Sequence, residues 1–182
     1  MPIFHDSPNN DTPCVVVRQS YQNHDCGLLH ISPITMYYNP EILEGDVKIL
    51  VELGYIVRRF DATRWENFPN TFFTDFSEIM EFPEGWGTNL DSLEDCLGDI
   101  EIPDAGGVVI VFDTFDQFAN SHTELAWSIL DIIAYQSRLK QIFGETLIAL
   151  VQSDDPQIRF EPVGASRVFW NGREFFDSSR GL

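Results

Sequence analysis

The chain has no lysine or arginine between Trp65 and Ser137, and basic residues are scarce throughout, at 11 against 29 acidic ones. Its formal net charge is -18 at pH 7. Such a surface repels both nucleic acid and an anionic membrane, so neither is expected as a direct partner. A cationic protein is the natural complement, and an acidic surface can raise its association rate by roughly 10 to 1000-fold.

Cysteine is also scarce, and the three residues are Cys14, Cys26 and Cys96. An odd count without C-x-x-C spacing argues against a structural zinc site and, in the cytoplasm, against an obligatory disulfide. None of the four histidines has a metal-ligand spacing. The acidic residues within 99–104 lack the twelve-residue calcium loop with its central glycine. We therefore expect no metal and no cofactor, and Cys96 is expected to be a small buried residue on a helix.

Long apolar runs are missing as well. The longest, at 108–112, is far shorter than the roughly 18 residues of a membrane helix. Residues 1–8 have neither a basic n-region nor an apolar h-region, which predicts that the chain has no signal peptide and stays in the cytoplasm. A chain of 182 residues can bury roughly 70% of its unfolded surface, so it should fold as one globular domain without metal or disulfides.

Three short, nearly continuous apolar runs with many β-branched residues predict buried parallel strands. They span residues 55–60, 107–112 and 146–152. One helix that carries Phe73, Phe76 and Met80 is predicted to be capped by Asn70 or Thr71. A long helix is predicted to open with a capping box that begins at Ser121. The long helix would cross over between the last two strands. This order predicts an α/β fold with a small parallel sheet of about three strands packed with helices.

Two further segments flank that unit. The first 45 residues are rich in Pro, Asn, Asp and Ser and include two short apolar runs, at 14–17 and 28–31, which we interpret as a hairpin or an edge. Near the other end, the dipeptide Asn171-Gly172 between apolar residues predicts a β-hairpin with a type I′ turn. We therefore divide this single globular domain into an N-terminal extension (1–45), a central unit (46–155) and a C-terminal hairpin extension packed on it (156–182).

The most informative segment is a loop with glycines and a tryptophan that leads into a helix with an acidic face. Thr88 or Asn89 can serve as its N-cap. Three leucines at i, i+3 and i+7 would face the core, namely Leu90, Leu93 and Leu97. At about 100° per residue, two aspartates fall on the opposite side with a glutamate at its border. These acidic residues are Asp91, Asp95 and Glu94.

Helix stability alone does not explain the acidic face. Like charges at i, i+4, as at Asp91 and Asp95, weaken an isolated helix by a few tenths of a kcal/mol. Asp91 gains from the positive end of the helix dipole, but Asp95 lies beyond the first turn. Two interpretations therefore stay open, a solvated face of an acidic protein or a recognition surface.

The string from Gly87 to Leu97, GTNLDSLEDCL, resembles the G-x-N-L-D-x-L-x-D-C-L core of the barstar family, intracellular inhibitors of the ribonuclease barnase. The similarity in pattern covers about residues 46–155. It implies a three-layer barstar-like fold, an inhibitor and no enzymatic activity. In that family, the carboxylates that match Asp91 and Asp95 occupy the place of substrate phosphate in the ribonuclease active site, and the loop before the helix closes over the same cleft.

The resemblance also implies which residues bind the partner. Asp91 and Asp95 would mimic phosphate, Trp86 would pack on the rim of the nuclease, and Asn89 would cap the helix. The aromatic pair usual before the motif glycine is Gly85-Trp86 here, and Glu94 replaces an apolar or aromatic residue of the best-known member. The resemblance therefore leaves open which nuclease is bound. The full predicted site consists of Trp86, Gly87, Thr88, Asn89, Asp91, Glu94 and Asp95.

A glycosidase is the enzymatic alternative, because two carboxyl groups roughly 5 to 10 Å apart serve that chemistry. It would need a cleft that raises one pKa by burial, whereas these side chains lie on one convex helical face. We therefore predict no catalytic residue. The expected function is inhibition of a secreted, guanyl-specific type of microbial ribonuclease by a chain that is monomeric when free. The open alternative is a barstar-like immunity protein or binding module for a different basic toxin or partner.

Overall fold

A computed structural model of the chain describes residues 32–176. Five strands within this part form one sheet, and every neighbouring pair is parallel. The strands are β1 (Ile34–Tyr37), β2 (Ile56–Asp61), β3 (Val108–Asp113), β4 (Leu147–Gln152) and β5 (Phe169–Trp170), in the order β2-β3-β4-β1-β5.

The helices lie on both faces of this sheet. They are α1 (Pro40–Glu52), α2 (Asn70–Met80), α3 (Leu90–Asp99), α4 (Phe115–Ser121) and α5 (Thr123–Ile142). Two 3-10 helices span Ala62–Asn67 and Gly172–Phe176. The predicted α/β class is confirmed, and β2, β3 and β4 begin and end within one residue of the predicted strands. The long helix α5 connects β3 to β4, as predicted.

Alternation along β3 divides the core into two layers. Val109 and Val111 face α1, while Ile110 and Phe112 face the larger layer beneath α2, α3 and α5. The larger layer is aromatic, and its centre is the fully buried Trp65, whose indole N–H donates to the Asp75 carboxylate at 3.0 Å. The result is three layers, with α1 on one face and the remaining α-helices on the other.

The sheet has five strands rather than about three, because β1 and β5 were missed by the sequence analysis. Strand β1 has only four residues between Pro33 and Asn39, so its turn-forming neighbours obscured it. Pro40 opens α1, and the Asn39 side chain caps it by accepting a hydrogen bond from Glu41 N at 2.9 Å. Residues 34–45 of the segment assigned to the N-terminal extension thus form β1 and the first part of α1. The apolar runs at 14–17 and 28–31 lie outside the described residues, as do Cys14 and Cys26.

The predicted C-terminal hairpin is wrong. Strand β5 pairs in parallel with β1, next to Thr35 and Met36, and a 3-10 helix follows at Gly172. The Asn171 side chain is buried, its amide donates to Asp46 Oδ2 at 2.8 Å, and its Oδ1 accepts from Arg173 N at 3.0 Å. These hydrogen bonds override the local turn preference of Asn-Gly.

The predicted capping box of the long helix is also wrong. A separate short helix, α4, ends at Ser121, and α5 begins at Thr123 without a side-chain cap. The two hydroxyl groups point back into α4, because Ser121 Oγ donates to Gln117 O at 3.1 Å and Thr123 Oγ1 to Ala119 O at 2.9 Å. A sequence pattern for a helix start therefore lies across the junction of two consecutive helices.

A buried carboxylate joins the two ends of the described chain. Asp46 Oδ2 on α1 accepts hydrogen bonds from the Tyr37 hydroxyl and from Asn171 Nδ2, both at 2.8 Å. The Arg173 guanidinium forms an ion pair with Asp46 Oδ1. Burial, and then the charge of Asp46, raises the pKa of Tyr37 far above its usual value, so its hydroxyl remains a donor. The C-terminal segment is therefore fastened to β1 and α1.

We expect Asp46→Ala to lower the free energy of unfolding by about 2–6 kcal/mol. The substitution leaves two buried donors, Tyr37 and Asn171, without this acceptor, and each such loss costs roughly 1–3 kcal/mol. Urea denaturation followed by circular dichroism measures the change. Arg167→Ala is the control, because Arg167 is exposed and outside this network, and it should stay within about 0.5 kcal/mol of the wild type. Equal stabilities of the two variants would contradict the role of Asp46.

Candidate partner-binding site

The acidic helix α3 begins and faces the core as predicted. Asn89 has an extended backbone, and its Oδ1 accepts a hydrogen bond from Ser92 N at 2.8 Å, so Asn89 rather than Thr88 is the N-cap. Leu93 and Leu97 are fully buried, and Leu90 is half-buried against the same core. These contacts fix the rotation of the helix about its axis, which leaves its acidic side outward.

The carboxylates of Asp91 and Asp95 are exposed one helical turn apart, and Glu94 is half-buried at the border with α5. Within residues 32–176, no basic side chain forms an ion pair with any of these three. The cations nearest in sequence are used elsewhere, in the pairs Arg58–Glu81, Arg59–Asp113 and Arg64–Asp75. The acidic face is thus left without internal compensation.

Two polar side chains of α5 hold α3 in place. Gln136 Nε2 donates to Glu94 O at 3.0 Å. Lys140 Nζ donates to Gly98 O at 3.0 Å and to Ile100 O at 3.1 Å, where a positive charge complements the C-terminal end of the helix dipole. Neither residue was predicted from the sequence, where Lys140 is only the second basic residue after the basic-free span and follows Arg138. They set the position of α3 without contributing to its exposed acidic face.

The loop before α3 is anchored by its aromatic residue. The Trp86 ring packs edge-on against Phe82 and Phe73, with ring centroids 4.8 and 5.7 Å apart. The side chain is half-buried, so only part of the ring expected on the nuclease rim is open to a partner. Trp86 also lines a surface groove of about 460 Å³ together with Thr88 and α2.

Gly87 lies against the first turn of α3. A Cβ atom at this position would approach Ser92 Oγ to 2.1 Å and Asn89 Nδ2 to 3.2 Å. A side chain there would displace the hydroxyl of Ser92 and crowd the capping amide. The close approach explains why the loop needs glycine immediately before Thr88.

Cys96 lies on α3 as predicted and is half-buried. Burial raises the pKa of its thiol, and the nearby carboxylates of Asp99 and Asp95 raise it further. A raised thiol pKa keeps the group protonated at neutral pH, and the thiol is the poorly nucleophilic form. Cys96 is therefore a packing residue of the helix.

The described part of the chain also bears on metal binding and on membrane crossing. Residues 32–176 contain no group of three His, Cys, Asp or Glu side chains placed to hold a metal ion. In the same range, none of the helices has the length and apolar character that crossing a membrane requires. The carboxylates of Asp91 and Asp95 on α3 are exposed.

We expect Asn89→Ala to destabilise the chain by about 0.5–2 kcal/mol, because the first turn of α3 loses its side-chain acceptor. Chemical denaturation measures this loss. Asn70→Ala is a matched control, since the N-cap of α2 is Pro69 and no side chain caps it, contrary to the prediction that Asn70 or Thr71 does. The control should change stability by less than about 0.5 kcal/mol. If both variants unfold at the same denaturant concentration, the Asn89 cap contributes nothing.

Comparison with known proteins places most of the sheet and the acidic helix within one family. Residues 56–151, slightly more than half of the chain, match a family model described as Barstar (barnase inhibitor). The match begins at β2 and ends in β4, so it includes α3 and the loop before it. No curated protein matches the chain.

Proposed function

Since the chain belongs to the barstar family, we propose that it is an intracellular inhibitor of a secreted microbial ribonuclease of the guanyl-specific type. Members of the family are inhibitors rather than enzymes, and the family binds a ribonuclease, barnase, which is a basic protein. The observation that carries the proposal is the uncompensated carboxylate pair, Asp91 and Asp95, on the exposed side of α3.

The proposed mechanism is occlusion of the nuclease active site. A ribonuclease must hold the phosphates of RNA with cationic side chains, and carboxylates accept the same charge-assisted hydrogen bonds. Asp91 and Asp95 would therefore replace phosphate oxygens, while Glu94 and the loop from Trp86 to Asn89 would contact the surroundings of the cleft. Because α3 is fixed before binding by Asn89, Gln136 and Lys140, little ordering is required when the complex forms.

Charge over the whole chain supports the same partner. The net charge of -18 and the basic-free span that contains α3 attract a cationic protein and repel RNA itself. Electrostatic complementarity of this kind raises association rates and selects partners. A cytoplasmic inhibitor gains from fast association, because a secreted nuclease is harmful inside the cell only until it is captured.

One second candidate is a barstar-like immunity protein for a basic toxin that is not a ribonuclease. Glu94 adds a third carboxylate where the best-known member of the family has an apolar or aromatic residue, and Trp86 supplies one ring where a pair is usual. These two departures alter the rim of the surface, and the rim selects the partner. The acidic face itself would serve either partner.

We expect the purified chain to suppress RNA cleavage by barnase or another guanyl-specific ribonuclease at equimolar, micromolar amounts, because the whole acidic helix and its loop are present. A fluorogenic RNA substrate measures the residual activity. A titration should reach full inhibition at one inhibitor per enzyme. Unchanged cleavage by several such enzymes would overturn the ribonuclease proposal and leave the immunity candidate.

We expect Asp95→Ala to weaken binding at least about 100-fold, mostly through faster dissociation. Removing one carboxylate leaves partner cations buried and unpaired, which typically costs about 2–5 kcal/mol. Charge pairs of barnase and barstar are the standard example of such energies, so this magnitude comes from the family rather than from this chain. Surface plasmon resonance measures both rate constants, and thermal melting should show an unchanged or slightly higher stability.

Glu124→Ala is the matched charge control. Glu124 is exposed in the first turn of α5 and lies outside the predicted site. Its removal should mainly lower the association rate at low salt, an effect that added salt masks. Equal affinities of Asp95→Ala and the wild type would mean that α3 presents only a solvated face.

A further inference from the structure

The C-terminal half of α5 and the residue that follows it, Phe143, expose four large apolar side chains, which we name the apolar stripe. They are Tyr135, Leu139, Ile142 and Phe143, exposed by 44%, 36%, 75% and 79%. Their spacing of four, three and one residues places them within an arc of about 100° on one side of the helix. Apolar patches of this kind on an otherwise highly charged protein mark interaction surfaces more often than chance exposure does.

The apolar stripe lies beside the acidic face of α3. Gln136 and Lys140, which directly follow Tyr135 and Leu139, are the two side chains that reach the backbone of α3. The other side of α5 is covered by a loop, where Asp131 accepts from Gly164 N at 2.6 Å. The stripe therefore occupies the open surface between that loop and α3.

The junction between the stripe and the carboxylates is open. Gly98 is exposed on the side of α3 that faces α5, and a Cβ there would lie 3.4 Å from the Gln136 amide. Because Gly98 has no side chain, α3 places no side chain between Asp95 and α5 at the position of Gly98. The acidic face and the apolar stripe thus form one continuous surface across two helices.

We propose that this continuous surface is a single docking site, and that the apolar stripe binds an apolar rim beside the cationic cleft of the partner nuclease. The inference rests on the proposed function and specifies the chemistry of that partner. The two parts of such a surface affect different rate constants. The carboxylates speed association and orient the partner, whereas buried apolar and aromatic side chains slow dissociation.

Charge complementarity selects this occupant over a second copy of the chain. Two copies joined through their stripes would bring two acidic faces side by side, each on a chain of net charge -18. Repulsion between two chains of this charge opposes the dimer. With a cationic partner, the electrostatic interaction is attractive instead of repulsive. The monomer predicted from the sequence is consistent with a different protein, rather than a second copy, as the occupant of the stripe.

The test uses the 182-residue chain with barnase and the guanyl-specific ribonucleases that the wild type inhibits. Leu139→Ser and Phe143→Ser should each raise the dissociation rate at least about tenfold, leave the association rate nearly unchanged, and keep their effect in high salt. Phe175→Ser is the matched control, because Phe175 is 76% exposed but lies in the C-terminal 3-10 helix, outside the stripe. Its dissociation rate should equal that of the wild type.

The outcomes separate the two proposals. If the wild type inhibits a ribonuclease and Phe143→Ser dissociates as slowly as the wild type, the role of the stripe is overturned and the inhibitor function stands. If the wild type binds none of the enzymes, both proposals fail. A light-scattering mass of two chains that falls to one chain in Phe143→Ser would also overturn the inference, since the stripe would then belong to a second copy.

Discussion

The buried ammonium group of Lys140 fixes the position of α3, and the candidate site depends on that position. Lys140 is 6% exposed, donates to the carbonyls of Gly98 and Ile100, and lies 3.5 Å from Glu145. Burying a charge is costly unless it is paired and hydrogen-bonded, and here three acceptors meet that requirement. The same charge complements the C-terminal end of the α3 dipole. The ammonium group of Lys140 therefore forms no ion pair with the acidic face of α3. It binds the backbone of α3 at the contact with α5 and holds that helix in place.

The rest of the site follows from that attachment. With its C-terminal end held by α5 and its first turn capped by Asn89, α3 presents its carboxylates in a fixed orientation. The apolar stripe on α5 is placed beside them by the same contacts. Uncompensated carboxylates weaken the fold, and the aromatic core around Trp65 supplies the stability that offsets them. The aromatic partners of Trp65, among them Phe72 and Phe118, lie on α2 and α4. The proposed recognition surface therefore lies on different helices, α3 and α5, from most of the aromatic core.

The parts that were predicted well depend on local chemistry. Strands β2 to β4 are buried apolar runs whose length and composition favour parallel strands in any context. The acidic helix carries its own N-cap and its own leucine spacing, so its start and its buried face could be read from eleven residues. Strand β1 was hidden because its four residues lie between proline and asparagine. The Asn171-Gly172 signal failed because a buried carboxylate 125 residues away competes for the Asn171 side chain.

The sequence alone determined which residues share the acidic face, because residues four apart on a helix lie on the same side whatever surrounds them. It also determined the net charge, on which the proposed class of partner depends. Only the tertiary structure decided what flanks that face. The half-buried ring of Trp86, the support from Gln136 and Lys140, and the apolar stripe all depend on side chains from other elements, and contacts between distant segments leave no local pattern in the sequence.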